Sequence, residues 1–198
     1  TCYLFSTRGR QLNILVFSLQ DQSCIKTNQI DYTIDPVLDF SQIQNSCIKQ
    51  INDQIIIPVE LTWKTERVGI ERGRDWKKSL ILYFDTKQQT ILYSQEIPKG
   101  SLEQVWVSKD QFRFFLIYGY DGDFTSIPWG TNFSYQADSI VCVDMATHSI
   151  LWEKELEQQS EVKYYEAYFW TYTNEENKPI LRMNEQGEIT DTIELSEA

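Results

Sequence analysis

A pattern of eighteen residues occurs twice in this chain without a gap, and nothing else in the sequence restricts its folding as much. Residues 139–156 read Ser-Ile-Val-Cys-Val-Asp-Met-Ala-Thr-His-Ser-Ile-Leu-Trp-Glu-Lys-Glu-Leu. Residues 80–97 read Leu-Ile-Leu-Tyr-Phe-Asp-Thr-Lys-Gln-Gln-Thr-Ile-Leu-Tyr-Ser-Gln-Glu-Ile. In register, Asp85 falls on Asp144, Ile91 and Leu92 on Ile150 and Leu151, Tyr93 on Trp152, and Glu96 on Glu155. Each copy is two short apolar segments around a polar turn, which is how a β-hairpin reads. A third copy lies at 180–195, with a turn at Asn184-Glu185-Gln186-Gly187 that is one residue shorter. Reuse of one supersecondary unit points to repeated sheets.

The second copy, with Val143, Asp144, Thr147, Leu151 and Trp152, resembles the tryptophan-docking repeat of quinoprotein-type β-propellers. That family usually has Gly where this chain has His148 or Gln89, because the turn residue there adopts positive φ. Residues 106–115, Trp106-Val-Ser108-Lys-Asp110-Gln-Phe-Arg-Phe-Phe, resemble the strand–turn–strand of other propeller repeats. The resemblance covers about half the chain and implies a fold; it places no catalytic or cofactor residue on this sequence.

The expected fold is therefore mainly β, with repeated antiparallel sheets forming a propeller-like stack or a sandwich. A chain of 198 residues, 41% hydrophobic and 14% aromatic, has enough apolar surface for one β-rich domain spanning 1–198. One stretch breaks the pattern. Phe40, Ile43, Cys47, Ile48 and Ile51 recur at helical spacing after Asp35 and Pro36, an N-cap and a first-turn residue, so a helix is expected over 36–51. Pro58, inside an apolar run at 55–63, suggests an edge strand or a bulge. Residues 163–173 read as one strongly aromatic strand.

Acids outnumber bases 29 to 18, and residues 151–198 alone hold 12 acids and 4 bases, which is 8 of the 11 net negative charges. Nucleic acid is an improbable partner for such a surface, since phosphate binding needs a basic footprint. A basic protein partner suits it, although acidity also serves simply to keep an aromatic-rich surface soluble. No apolar run reaches the roughly 18–20 residues of a membrane-spanning helix. The chain begins at Thr1. A removed signal peptide fits that start, Cys2 could carry a lipid anchor, and a periplasmic or lipoprotein setting in a bacterium is expected over a cytoplasmic one.

Cys24 and Cys47 share the context Ser-Cys-Ile-Lys. In an oxidising compartment they could form a disulfide, worth about 3 kcal/mol for a loop of that size; otherwise both are reduced and buried thiols. Cys142, between valines, reads as a small core residue. With no Cys-x-x-Cys and one histidine, a zinc site is not expected, nor any other cofactor. That histidine, His148, occupies a turn position where the other copy has Gln89, so it reads as a turn residue and not a general base. No nucleophile elbow, phosphate loop or His-Glu-x-x-His motif is present.

Two stretches are candidates for recognition. The loop 119–137 contains Asp121, Asp123 and Trp129; its two acids could hold calcium but lack a complete ligand pattern. In the aromatic strand, Tyr164, Tyr168, Trp170 and Tyr172 with Glu166 have the composition of a protein interface or a sugar platform, unless a neighbouring sheet buries them. The functional expectation is a non-catalytic acidic protein-binding module, such as an inhibitor or immunity-type protein that blocks a basic partner. The alternative is a carbohydrate-binding module or a small carboxylate-dependent hydrolase.

Overall fold

Both copies of the repeated pattern form hairpins, and both carry a bulge at the same place. In a computed structural model of the chain, strand β7 (Lys77–Asp85) pairs with β8 (Thr90–Ile97), and β11 (Ala137–Asp144) with β12 (Ile150–Tyr165). The pairing shifts between Tyr83↔Tyr93 and Phe84↔Ile91 in the first, and between Cys142↔Trp152 and Val143↔Ile150 in the second. The third hairpin, β14 (Ile180–Asn184) with β15 (Ile189–Ile193), repeats the shift between Arg182↔Asp191 and Met183↔Ile189. A bulge bends its strand and re-aims the following side chain. In the second copy that side chain is Trp152.

The turns explain the sequence positions that recur. Asp144 Oδ1 accepts from the backbone N–H of Ala146 (3.0 Å) and Thr147 (2.7 Å) and from Thr147 Oγ1 (2.8 Å). Asp85 Oδ1 accepts from Lys87 and Gln88, and Asn184 Oδ1 from Gln186 and Glu188. His148 and Gln89 adopt φ of 56° and 53°, and Gly187 adopts 81°. His148 and Gln89 are thus turn residues in the left-handed region that commonly takes Gly. Burial lowers the His148 pKa, against the pull of Asp144.

Replacing Asp144 with Ala is expected to cost about 1–2 kcal/mol by orphaning these donors, and Asn less than about 1 kcal/mol, as read by denaturant unfolding. The Thr147 N–H and hydroxyl hold the Asp144 carboxyl below its ordinary range. Because the folded pKa is the lower one, its contribution is present above about pH 4 and is lost as pH falls through the folded value. Asp144→Asn should therefore flatten the acid limb of the stability–pH curve, and an unchanged limb would contradict this.

The structure describes residues 1–8, 11–31, 38–43, 45–63, 77–97, 101–119, 137–173 and 178–194. They form two compact units, Thr1–Lys99 and Gly100–Ala198. The first contains a three-stranded meander, β1 (Cys2–Arg8), β2 (Gln11–Ser18) and β3 (Ser23–Asp31). Its second sheet has the order β4-β6-β7-β8, with β4 at Leu38–Ile43 and β6 at Gln54–Trp63; the short β5 (Lys49–Ile51) also pairs with β6. Leu12 and Ile14 of the meander pack with Ile55, Ile57 and Val59 of β6 and Leu80, Leu82 and Phe84 of β7.

The helix expected over 36–51 does not form. The described part of that stretch is β4, a single 3-10 turn at Asn45–Cys47 and β5. Ile43, Cys47 and Ile51 are all buried, as the pattern required. Their spacing of four is even, so it satisfies the two-residue period of strands as well as the helical one. Asp35 and Pro36 lie outside the described residues. Pro58 sits within β6, opposite Ile81 of β7, and neither at an edge nor at a bulge of that ladder. On its other side β6 pairs with β5 through Ile56 and with β4 from Val59, so Pro58 falls in the gap where no N–H is called for.

The second unit is a sheet in the order β15-β14-β13-β12-β11-β10-β9, with β9 at Ser101–Val107, β10 at Arg113–Gly119 and β13 at Tyr168–Thr173. The long β12 serves two halves. Its first part pairs with β11 through Glu155; after an irregularity Ser160 pairs with both Ala137 of β11 and Thr173 of β13, and the Ser160 hydroxyl donates to the Glu157 carbonyl. One apolar cluster joins Phe115, Ile117, Ile140 and Cys142 of the first half to Val162, Phe169 and Met183 of the second. Burial pushes the Cys142 thiol up to about 11, as befits a core residue. The central strands are buried on both faces: Phe114, Leu116, Val141 and Val143 alternate with the cluster residues and are equally inaccessible.

Cys24 and Cys47 are not joined by a disulfide. Cys24 is exposed on β3, its thiol near the Lys26 carbonyl at 3.6 Å, whereas Cys47 is buried in the 3-10 turn. One side chain faces solvent and the other the interior.

Candidate functional site

Residues 163–173 are two strands and not one, and this rearranges the aromatic face. Glu166 and Ala167 adopt φ of 50° and 67° and form a two-residue hairpin turn between β12 and β13. Two positive φ values match the twist of a right-handed hairpin. The reversal pairs Tyr164 with Phe169, and so puts Tyr164 on the core side. Tyr165↔Tyr168, Lys163↔Trp170 and Glu161↔Tyr172 lie on the other side. Of the residues expected on one recognition face, Tyr168, Trp170 and Tyr172 are brought together, and Glu166 is exposed at the turn. Tyr164 is not among them. Asp121, Asp123 and Trp129 lie outside the described residues.

Tyr164 belongs instead to a polar network that closes one end of the core. Its hydroxyl donates to Glu185 Oε1, and the Lys109 N–H donates to the same oxygen. Arg113 Nη2 donates to Glu185 Oε2 and to Asp110 Oδ2, each at 3.0 Å. Ser108 binds Asp110 and the Arg113 carbonyl, and Trp152 Nε1 donates to the Glu185 carbonyl at 3.1 Å. Burial, and then Glu185, push the Tyr164 phenol above its usual range. The Ser108 hydroxyl and the Phe112 N–H hold Asp110 below the usual carboxylate range. This third turn, whose Gly187 lies so close to the Trp152 ring that an added Cβ would crowd it, fastens the two halves of the unit together. Glu185 of this turn and Asp110 of the β9–β10 turn share the single guanidinium of Arg113.

The outer face has a different composition. Register places Lys163, Trp170, Arg182 and Asp191 in one row across four strands. The Arg182 guanidinium lies 4.9 Å from the Tyr168 ring centre and 5.7 Å from that of Trp170, with Asp191 at 3.7 Å. Tyr172 donates to Glu161, which raises its pKa, and Tyr165 is 66% exposed beside Tyr168. Opposite faces of the same strands carry Phe169 and Met183, both in the core. The aromatic side chains are thus anchored by a packed sheet while their outer ends remain accessible. Sequence reading missed Tyr165, Glu161 and Arg182, because only the strand register brings them opposite Tyr168, Tyr172 and Trp170. Among the described residues, no group of three or more His, Cys, Asp or Glu side chains is placed to hold a metal ion.

No family model matches the chain, and no curated protein matches it. Solved structures similar to it include the Pyrococcus horikoshii acylaminoacyl peptidase, 11% identical over 98% of this chain, with a TM-score of 0.49. AztD from Citrobacter koseri is 8% identical over 98% of the chain, with a TM-score of 0.43. BamB from Moraxella catarrhalis is 12% identical over 98%, with a TM-score of 0.38. The chain spans 30% of the peptidase, 60% of AztD and 74% of BamB. Its own architecture is mainly β, with antiparallel sheets that resemble propeller blades.

Proposed function

We propose that the chain is a non-catalytic binding module whose outer face on β12–β14 takes a protein partner, in the manner of an inhibitor or immunity-type protein. The observation that carries this reading is the clustering of Tyr165, Tyr168, Trp170 and Tyr172 on the accessible side of a packed sheet, with Arg182 over Tyr168 and Trp170. Tyr, Trp and Arg are the residues most enriched at interface hot spots, and a rigid sheet spares them ordering entropy on binding. The acidic C-terminal quarter favours a partner of positive charge, since complementary fields speed encounter and exclude wrong partners.

A sugar platform is the weaker reading, because it needs free ring faces, and Arg182 covers one face of both Tyr168 and Trp170. A carboxylate-dependent hydrolase is weaker still: Asp110 and Glu185, which the fold does bring together, share one arginine. Within this reading, the sheets belong to a propeller of the quinoprotein type, with Trp152 docking on the next hairpin's turn. The test is affinity capture from the native cell at low and high salt. One stoichiometric protein, retained at low salt and released at high salt, is the expected result. Retention that is indifferent to salt, or capture only by an oligosaccharide array, would contradict it.

A further inference from the structure

Below the aromatic core, on the side away from Glu185, the two parts of β12 diverge around a cavity of about 210 Å³. Its apolar wall is Leu156, Pro179, Leu181, Met183 and Ile189. Lys154 also lines it. The pairing of Lys154 with Ile140, a cluster residue, puts the lysine on the core side of the sheet, between inward-facing Trp152 and Leu156. Its neighbour Glu153 is exposed on the opposite side, and Glu155, also exposed, reaches the rim of the cavity. Glu157 at the rim is engaged by Lys178 at 2.9 Å, whereas Lys154 has no ion-pair partner among the described residues. A lysine turned towards the core would normally extend its amine to water or to a carboxylate. Here it borders an apolar hollow.

We infer that this cavity binds a short-chain carboxylate, with the hydrocarbon against Leu156, Leu181 and Met183 and the carboxylate on the Lys154 ammonium. An engineered apolar cavity of about 150 Å³ holds benzene; by the same ratio this one takes about eight heavy atoms, the size of hexanoate. The single cation matches a single negative charge. Glu155 and Glu157 at the rim disfavour a dianion. The cavity shares Tyr172 with the outer aromatic face, but its hydrocarbon wall and Lys154 are distinct from that face, and the site stands or falls independently of the proposed protein partner.

The test titrates the whole chain with hexanoate, hexanol and hexylamine while following the methyl resonances of Leu156, Leu181, Met183 and Ile189. Hexanoate should shift these resonances saturably, with a Kd of about 1 mM or tighter, and hexanol and hexylamine should bind at least about five-fold more weakly. Lys154→Met should weaken hexanoate about ten-fold and leave hexanol unchanged. Ile189→Trp, at an exposed position on the rim, should block both. No saturable shift with hexanoate would overturn the site. Equal binding of hexanoate and hexanol by the unaltered chain would overturn the anion recognition, as would a Lys154→Met chain that binds hexanoate normally.

Discussion

Phe169→Ala is expected to destabilise the protein by about 3–5 kcal/mol, the range for deleting a fully buried aromatic side chain. Phe169 is wholly inaccessible and lies at the centre of the second unit's cluster. Its ring stands edge-on to Phe115 at 4.8 Å and to Trp152 at 6.4 Å, and it also meets Tyr164 at 5.0 Å. Those partners come from β10 and from both parts of the long β12, so no single one can move to fill the space. The upper end of the range applies where a site cannot collapse. Urea unfolding with an unchanged m-value would report it, and a loss below about 1 kcal/mol would show that this core is not packed as described.

Glu185→Ala is the second large effect, about 2–4 kcal/mol. The side chain accepts from Tyr164, Lys109 and Arg113, and only 10% of it is exposed. Removing it strands a phenol, a backbone N–H and part of a guanidinium whose own side chain is 19% exposed. Breaking a buried pair by deleting one partner costs about 3–5 kcal/mol. Here Asp110 still holds Arg113 and solvent reaches it, which trims the figure. Glu185→Gln keeps an acceptor for Tyr164 and Lys109 and should cost less than half as much. Equal losses for the two variants would show that charge, and not acceptor geometry, is what the network uses.

What could be read from the sequence was local. Asp85, Asp144 and Asn184 mark the turns because a side-chain oxygen one residue before the turn binds the turn's own N–H groups. The unbroken apolar runs at 80–84, 114–118 and 140–143 fit strands buried on both faces, as they prove to be. The helix expected at 36–51 failed because its buried positions are spaced by four, close to one helical turn but also two full strand repeats. The aromatic strand was misdrawn because Glu166-Ala167 carries no Gly, Asn, Asp or Pro to announce a turn, though both residues adopt positive φ. That one missed reversal moved Tyr164 to the wrong face. Arg182 could not be assigned to Trp170 at all, since they meet only through the register of β13 with β14.

The central claim, that the outer face of β12–β14 is a binding surface, is tested most directly by mapping where a captured partner touches. A photo-crosslinking amino acid would be placed singly at Tyr165 or Tyr168 on that face, and at Phe112, which is 70% exposed in the β9–β10 turn. The account predicts one crosslinked species from positions 165 and 168, none from 112, and its disappearance when Trp170 and Arg182 are both changed to Ala. Crosslinking from Phe112 with nothing from Tyr165 or Tyr168 would contradict it.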